Sequence, residues 1–210
     1  TTVCRQNTYY FNILQIISDN SIQKTSYRLK SSLLSAITIL TNILIAKLDT
    51  KNLLGRQAEQ AVLRSFLEAG SPRFLALYGR RRVGKTYLIR RFFEHQSLLL
   101  EVTGKRGASH EVQIELLCSA LERMFEFSIE SPRPKTWKEA FELLTKYATT
   151  YIQRRANLPL VIFLDELPWL AARDPQLIEE LDHFWNTQWS RLEHFKLIVC
   201  GSAASWILDN

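Results

Sequence analysis

Apolar residues follow two patterns that alternate along most of the chain. Short, mostly apolar runs, typical of buried parallel strands, occur at 74–78, 97–102, 160–164 and 195–200. Between these runs, apolar residues recur every three or four positions, which predicts amphipathic helices at 61–67, 88–93, 114–125, 137–151 and 177–185. Because strands that alternate with helices form a parallel sheet covered on both faces, the pattern predicts a three-layer α/β/α domain.

The first part of the chain has a different texture. An uncharged run at 31–46 lies between Lys30 and Lys47, and its leucine and isoleucine residues recur at helical spacing. The run is shorter than the ~18–20 strongly apolar residues of a membrane span and contains Ser, Thr and Asn. We therefore favour an amphipathic helix, with a single membrane anchor and an upstream extension without a functional role as the alternatives. This divides the chain into a helical N-terminal extension, residues 1–51, and an α/β domain, residues 52–210.

The overall composition excludes some classes of protein. An apolar content of 46% and a charged content of 23% argue against wholesale disorder. The net charge of +6 permits contact with nucleic acid, yet no helix-turn-helix or base-reading motif accompanies it. Cys4, Cys118 and Cys200 show neither metal-ligand spacing nor a disulfide framework. These features predict a reducing, cytoplasmic environment.

One loop matches the phosphate-binding pattern G-x-x-x-x-G-K-[ST], running from Gly79 to Thr86 between a predicted strand and a predicted helix. Gly79 and Gly84 allow backbone conformations, and a close approach to phosphate, that a Cβ would prevent. Lys85 can reach the β- and γ-phosphates, and the Thr86 hydroxyl can ligate Mg²⁺. We predict a nucleotide site formed by Gly79, Arg80, Arg81, Arg82, Val83, Gly84, Lys85, Thr86 and Tyr87. The three arginines contact phosphate or a partner, or they form a solvated loop crown.

Two carboxylates, Asp165 and Glu166, follow the strand predicted at 160–164, and Ser202 follows the last predicted strand. Parallel sheets bind ligands at the carboxyl ends of their strands, so these residues are predicted to lie beside the phosphate loop. Asp165 can bind Mg²⁺ and Glu166 can act as general base toward a water, with a structural turn as the alternative. Ser202 can bond the γ-phosphate or the attacking water, or it can cap the helix predicted after it.

Four segments together resemble the STAND branch of the AAA+ ATPases, and within it the prokaryotic archaeal-type ATPases. Residues 53–59, LLGRQAE, are similar to the hhGRExE element, although Gln57 replaces the usual first Glu. Three further segments resemble other elements of this family. YGRRRVGKT at 78–86 is similar to Walker A, FLDELPWL at 163–170 to Walker B, and LIVCGS at 197–202 to sensor 1. The resemblance covers about residues 52–210.

The resemblance implies an ATP site with Mg²⁺ and assigns places to further residues. Gly55 and Arg56 would lie near adenine and ribose, and Ser202 would lie near the γ-phosphate. Lys85 and Glu166 would be the catalytic residues, and Thr86 and Asp165 would bind the metal. The sheet of this family has the strand order 5-1-4-3-2, so the fourth strand would separate the Walker A and Walker B strands.

The chain also departs from the family pattern near its end. Relatives continue after sensor 1 through a fifth strand, a helical lid and usually a winged-helix region, which the 210 residues do not include. The expected fold is therefore a P-loop NTPase of AAA+ type without its fifth strand and lid. Because an arginine finger can contribute ~10³–10⁵ in turnover, slow or undetectable hydrolysis is expected without these parts.

These arguments predict an ATP-driven conformational switch that binds ATP and Mg²⁺, with hydrolysis in the full-length protein. One alternative is a DNA-associated module related to replication-initiator ATPases, which a steep salt dependence of DNA binding would favour. Another is an inactive nucleotide-binding scaffold that acts through protein partners or as a homo-oligomer. The intact Lys85, Asp165 and Glu166 argue against the scaffold, whereas the missing lid argues for it.

Overall fold

A computed structural model of the chain describes residues 55–129, 132–154, 158–172 and 174–202. Its strands are β1 Arg73–Tyr78, β2 Leu98–Thr103, β3 Leu160–Asp165 and β4 Phe195–Gly201. Its helices are α1 Gln57–Glu68, α2 Lys85–Phe93, α3 His110–Phe125, α4 Trp137–Arg154, the single turn α5 Leu167–Leu170, and α6 Gln176–Thr187. A 3₁₀ turn at Trp189–Arg191 precedes β4.

The hydrophobic pattern predicts these strands to within one residue at each end, and it predicts each of the five longer helices. It does not predict α5 or the 3₁₀ turn, because segments of three or four residues are too short to display a helical period. The N-terminal extension, residues 1–51, and the helix predicted after Ser202 lie outside the described residues.

The sheet is parallel and has the strand order β1-β4-β3-β2. This order confirms the one that the AAA+ resemblance implies for the first four strands. The register pairs Tyr78 with Gly201 and Thr103 with Asp165, so the carboxyl ends of the strands lie along one edge of the sheet. The loops that follow β1, β3 and β4 are therefore brought together at that edge.

Helices pack on both faces of the sheet, which confirms the three-layer α/β/α architecture. The larger buried cluster joins α3, α4 and α6 to one face and includes Trp137 and Phe141, so the aromatic stripe of α4 belongs to the core. The smaller cluster joins α1 and α2 to the other face and includes Phe92 and Phe163. Every residue of β3 and β4 is buried, which explains why both strands are mostly apolar, with the uninterrupted run 160–164 in β3.

A buried cation, Lys196, lies near the amino end of β4, away from the edge where the loops converge. Its side chain is fully buried, and Nζ donates hydrogen bonds to the carbonyl oxygens of Ala69 and Ser71, each at 2.6 Å. These carbonyls belong to the turn after α1, so Lys196 ties that helix to the centre of the sheet. Burial, together with the positive charge of Arg73, lowers the pKa of Lys196 to about 8.

We expect Lys196 to make the free energy of unfolding of the domain depend on pH in the alkaline range. Because the folded pKa lies below the ordinary value of 10.5, the unfolded chain binds more protons between pH 8 and 10.5. The contribution of Lys196 to the free energy of unfolding therefore rises with pH across that interval and is constant below it. Urea unfolding of the native chain and Lys196→Met at several pH values tests this. A pH slope that is the same in both proteins contradicts the assignment.

Candidate functional site

The phosphate-binding pattern forms the connection between β1 and α2. β1 ends at Tyr78, and Gly84 directly precedes the first residue of α2 in a left-handed conformation, with φ of 81°. Gly79 also has a positive φ, 149°, and Arg82 has φ of 63°. These values bend the loop back on itself, and the amino end of α2 then faces its interior. A loop of this kind presents backbone N–H groups and the positive end of the helix to an anion.

Lys85 is the first residue of α2, and its side chain turns back into the loop. Nζ donates hydrogen bonds to the carbonyl oxygens of Gly79, at 2.8 Å, and Arg80, at 3.0 Å. The ammonium thus lies across the opening of the loop with two neutral acceptors. Phosphate oxygens are stronger acceptors for the ammonium than carbonyl oxygens are, because they carry negative charge and the carbonyl oxygens are neutral.

Thr86 and Asp165 lie in contact although they come from different elements. Thr86 Oγ1 donates a hydrogen bond of 2.8 Å to Asp165 Oδ2, which joins the start of α2 to the end of β3. The other carboxylate oxygen, Oδ1, accepts the N–H of Glu166 at 3.0 Å. Asp165 is 5% exposed, so its position is fixed by the sheet and by both hydrogen bonds. The predicted metal ligands are therefore adjacent.

Glu166 leaves the strand in a strained backbone conformation. Its φ of 51° and ψ of 50° are left-handed values that residues with a Cβ adopt at a cost. The carbonyl of Glu166 accepts the N–H of Trp169 at 2.8 Å, which starts the single turn α5. This turn directs the half-buried Glu166 carboxylate toward the end of β4, where Ser202 Oγ lies 3.5 Å from Glu166 Oε2.

Arg81 connects the phosphate loop to the end of β4. Its Nε donates a hydrogen bond of 3.0 Å to Ser202 Oγ, and its guanidinium carbon lies 5.2 Å from the centroid of the Trp169 ring. Of the two interpretations of the arginines, Arg81 fits a contact within the site. Arg80, Arg81 and Arg82 are all exposed, as in a solvated loop crown, and Arg81 differs by its contacts with Ser202 and Trp169.

The GR element before α1 also reaches the phosphate loop. Arg56 adopts a left-handed conformation, with φ of 54°, and its guanidinium donates a hydrogen bond to the carbonyl of Val83. The carbonyl of Gly55 accepts a hydrogen bond of 2.8 Å from the side chain of Gln60. These contacts bring the element to the loop, and its position near adenine and ribose stays a prediction.

Tyr87, the last residue of the predicted nucleotide site, lies on α2 with 63% of its surface exposed.

Cys200 lies beside Asp165 on the neighbouring strand. Burial, followed by the negative charge of Asp165, raises the pKa of the Cys200 thiol to about 12. The thiol is therefore neutral and adds no second negative charge to the metal position. Within the described residues, no group of three or more His, Cys, Asp or Glu side chains could hold a metal ion by itself. Mg²⁺ does not need such a group, because it commonly uses one or two carboxylates together with phosphate oxygens and water.

The role of Gly104, the first residue after β2, is not apparent from the sequence. Its N–H donates a 2.9 Å hydrogen bond to the carbonyl of Asp165. A Cβ at this position would lie 2.7 Å from the carbonyl oxygen of Glu166 and 2.9 Å from the backbone nitrogen of Leu170. Both neighbours are backbone atoms, so they cannot move aside as a flexible side chain would. The only signal in the sequence is a glycine directly after a predicted strand.

We expect Gly104→Ala to destabilise the domain by about 1–3 kcal/mol, the usual range for overpacking a tight interior. The matched control is Gly70→Ala, because a Cβ on Gly70 would meet no atom within 4 Å. Thermal and urea unfolding of both variants measure the difference. Equal stability of the two variants would show that the turn after β3 relaxes freely.

None of the helices in the described part of the chain combines the length and the apolar character that a transmembrane span requires. The uncharged run at 31–46 lies outside this part of the chain.

Comparisons with known proteins agree with the fold. Residues 53–210 match a family described as an ATPase domain predominantly from Archaea. A Walker-type ATPase of Pyrococcus abyssi has a similar structure, with 22% identity, a TM-score of 0.55, and a match over 76% of this chain and 48% of that one. The Drosophila ORC bound to DNA has 17% identity, a TM-score of 0.52, and a match over 71% of this chain and 38% of that one.

At these identities the two structures establish similarity of fold alone. The chain spans about half the length of the Pyrococcus abyssi chain and a smaller share of the Drosophila chain. A comparison with curated proteins gave no match. The fold and the family match together identify a nucleotide-binding P-loop ATPase domain.

Proposed function

This chain belongs to the family of ATPase domains found predominantly in Archaea, and from that premise we propose that its site binds ATP with Mg²⁺ and hydrolyses it. The proposal assigns the phosphates to the loop at 79–84 and the start of α2. It assigns Mg²⁺ to Thr86 and Asp165, and the attacking water to Glu166.

The hydrogen bond between Thr86 and Asp165 is the observation that supports this proposal most directly. The two oxygens lie 2.8 Å apart at the mouth of the phosphate loop, one from α2 and one from β3. A hydroxyl and a carboxylate are hard oxygen ligands of the type that Mg²⁺ prefers. Thr86 and Asp165 would hold Mg²⁺ through their oxygen lone pairs together with phosphate oxygens, so the residues present fit this ion. Mg²⁺ supplies charge neutralisation at the phosphates when it is bound.

Lys85, Glu166 and Asp165 have the other roles in the proposed hydrolysis. Lys85 exchanges its two carbonyl acceptors for phosphate oxygens and compensates negative charge that develops during transfer. Glu166 accepts a proton from the attacking water and orients it. The hydrogen bonds of Asp165 to Glu166 and Thr86 fix the relative positions of the base and the metal site. Catalysis then depends mainly on positioning and electrostatic stabilisation.

We further propose that nucleotide occupancy acts as a conformational switch in the longer protein. The elements that contact one another at this edge are the phosphate loop, α5 and the end of β4, and each can change position when the terminal phosphate enters or leaves. A homo-oligomer or a protein partner is the proposed recipient of this change. We place the protein in the cytoplasm, because Cys118 and Cys200 are buried free thiols.

A DNA-associated role is the second candidate. The similar Drosophila structure is of ORC bound to DNA, and this chain has a net charge of +6 with exposed Arg80 and Arg82 beside the site. Binding of duplex DNA whose affinity falls steeply with salt concentration would favour this role. Nucleotide binding by a chain that has no affinity for DNA would contradict this role.

A single-turnover assay tests the proposed hydrolysis. The protein is mixed in excess over radiolabelled ATP and Mg²⁺, so even one turnover per site is visible. We expect release of phosphate that stops when EDTA removes the metal. Tight binding of ATP without any release of phosphate would reduce the function to nucleotide binding. The absence of both would contradict the proposal.

A further inference from the structure

Arg81 is the residue of the phosphate loop whose side chain reaches the strands beyond it. Its Nε donates to Ser202 Oγ at 3.0 Å, and its guanidinium carbon lies 5.2 Å from the centroid of Trp169. Ser202 follows β4, and Trp169 belongs to α5, after β3. The arginine thus spans the same edge of the sheet at which the phosphates are proposed to bind, and it contacts no carboxylate there within the described residues.

Both partners of Arg81 are neutral, which makes these contacts weak compared with an ion pair. A guanidinium hydrogen-bonded to a hydroxyl and stacked on an indole gains less than one bonded to a phosphate, because its planar donors match the phosphate oxygens and both partners then carry charge. An anion that arrives within reach of Arg81 will therefore displace Ser202 and Trp169 from it.

The position of Arg81 makes it sensitive to the terminal phosphate. Ser202 Oγ lies 3.5 Å from Glu166 Oε2, and Glu166 is the proposed base for the water that attacks the terminal phosphate. The Arg81 guanidinium, bonded to Ser202, therefore lies beside the place where that phosphate must be. A diphosphate fills the loop but does not extend toward Ser202 and Glu166.

We propose that Arg81 is a specificity-determining residue that distinguishes a nucleoside triphosphate from the diphosphate. When the terminal phosphate is present, the guanidinium leaves Trp169 and Ser202 and binds the phosphate oxygens. Ser202 is then free to interact with Glu166 or with the phosphate. When the terminal phosphate is lost, the arginine returns to its two neutral partners. This inference rests on the proposed function, because it assumes that the loop binds a nucleotide.

Binding of two nucleotides tests the role of Arg81. The affinities of a non-hydrolysable ATP analogue and of ADP, each with Mg²⁺, are measured calorimetrically for the native chain and Arg81→Ala. We expect Arg81→Ala to lower the affinity for the analogue about tenfold, as for a lost hydrogen bond to a charged group, and that for ADP by less than about twofold. Arg64→Ala removes the same charge from an exposed position on α1 and is the matched control.

The emission of Trp169 provides a readout that a purely structural role of Arg81 would not alter. We expect the analogue with Mg²⁺ to change tryptophan fluorescence, and we expect a much smaller change with ADP. Trp169→Phe should abolish the difference between the nucleotides, whereas Trp185→Phe, on α6, should retain it. Arg81→Ala should give the same emission with either nucleotide.

The outcomes separate this inference from the proposed function. If the native chain binds neither nucleotide, the proposed function fails and the role of Arg81 fails with it. If both nucleotides bind, and Arg81→Ala leaves the ratio of their affinities unchanged, only the role of Arg81 is overturned. An unchanged ratio includes an equal loss of affinity for both nucleotides, because Arg81 would then be a general phosphate contact.

Discussion

Replacing Glu166 with glutamine should slow the hydrolysis of ATP by about 10²–10⁴-fold, the usual contribution of a general base. Glutamine keeps the length and shape of the side chain and can still accept the contact from Ser202, which lies 3.5 Å away. It cannot take a proton from water at neutral pH. The affinity for ATP with Mg²⁺ should change by less than about twofold, because Glu166 is assigned to the water and not to the phosphates or the metal. Single-turnover phosphate release measures the rate.

The chain offers a closely matched control for this substitution. Glu126, at the end of α3, has φ of 52° and ψ of 48°, nearly the same left-handed backbone as Glu166. Its side chain is exposed and lies outside the site. Glu126→Gln should therefore hydrolyse ATP at the native rate. If Glu166→Gln and Glu126→Gln show equal rates, Glu166 is not the base, and the alternative of a structural turn would stand.

Replacing Lys85 with alanine should weaken the binding of ATP by about 100-fold. The ammonium is proposed to exchange two carbonyl acceptors for oxygens of the β- and γ-phosphates, and a hydrogen bond to a charged group contributes about 1.5–3 kcal/mol. Two such bonds in a partly exposed loop give about 3 kcal/mol after solvent competes, which corresponds to roughly 100-fold. Equilibrium binding of a fluorescent ATP derivative, displaced by unlabelled ATP, measures the loss.

Lys138→Ala is the control for the change in net charge, because Lys138 is exposed on α4 and does not belong to the site. Circular dichroism and thermal unfolding confirm that both variants are folded. A Lys85→Ala protein that binds ATP as well as the native chain would show that the loop is not the phosphate site.

Local patterns were sufficient to predict the strands, the longer helices and the phosphate loop. β3 and β4 are buried on both faces, so both are rich in apolar residues and easily recognised, although Lys196 interrupts the run in β4. The spacing between Gly79 and Thr86 encodes the loop itself, since Gly79 and Gly84 adopt their positive φ without the cost that a Cβ would add. The order of the strands came from the family resemblance, because no local signal states which strand pairs with which.

Contacts between residues far apart in the chain could not be predicted in the same way. Arg81 and Arg82 are the same residue type in the same loop, yet only the structure shows Arg81 against Ser202 and Trp169, which come from two other strand ends. The constraint on Gly104 depends on the backbone of Glu166 and Leu170, more than 60 residues later in the chain. Such roles arise from tertiary packing, and a single sequence does not record them.

The central claim is that the loop at 79–84 and the Thr86–Asp165 pair bind ATP together with Mg²⁺. Calorimetric titration of the 210-residue chain with ATP, once with Mg²⁺ and once with EDTA, tests it most directly. The account predicts saturable binding of one ATP per chain with Mg²⁺, and weaker binding when EDTA is present. A folded chain that shows no saturable heat at millimolar ATP and Mg²⁺ would contradict it.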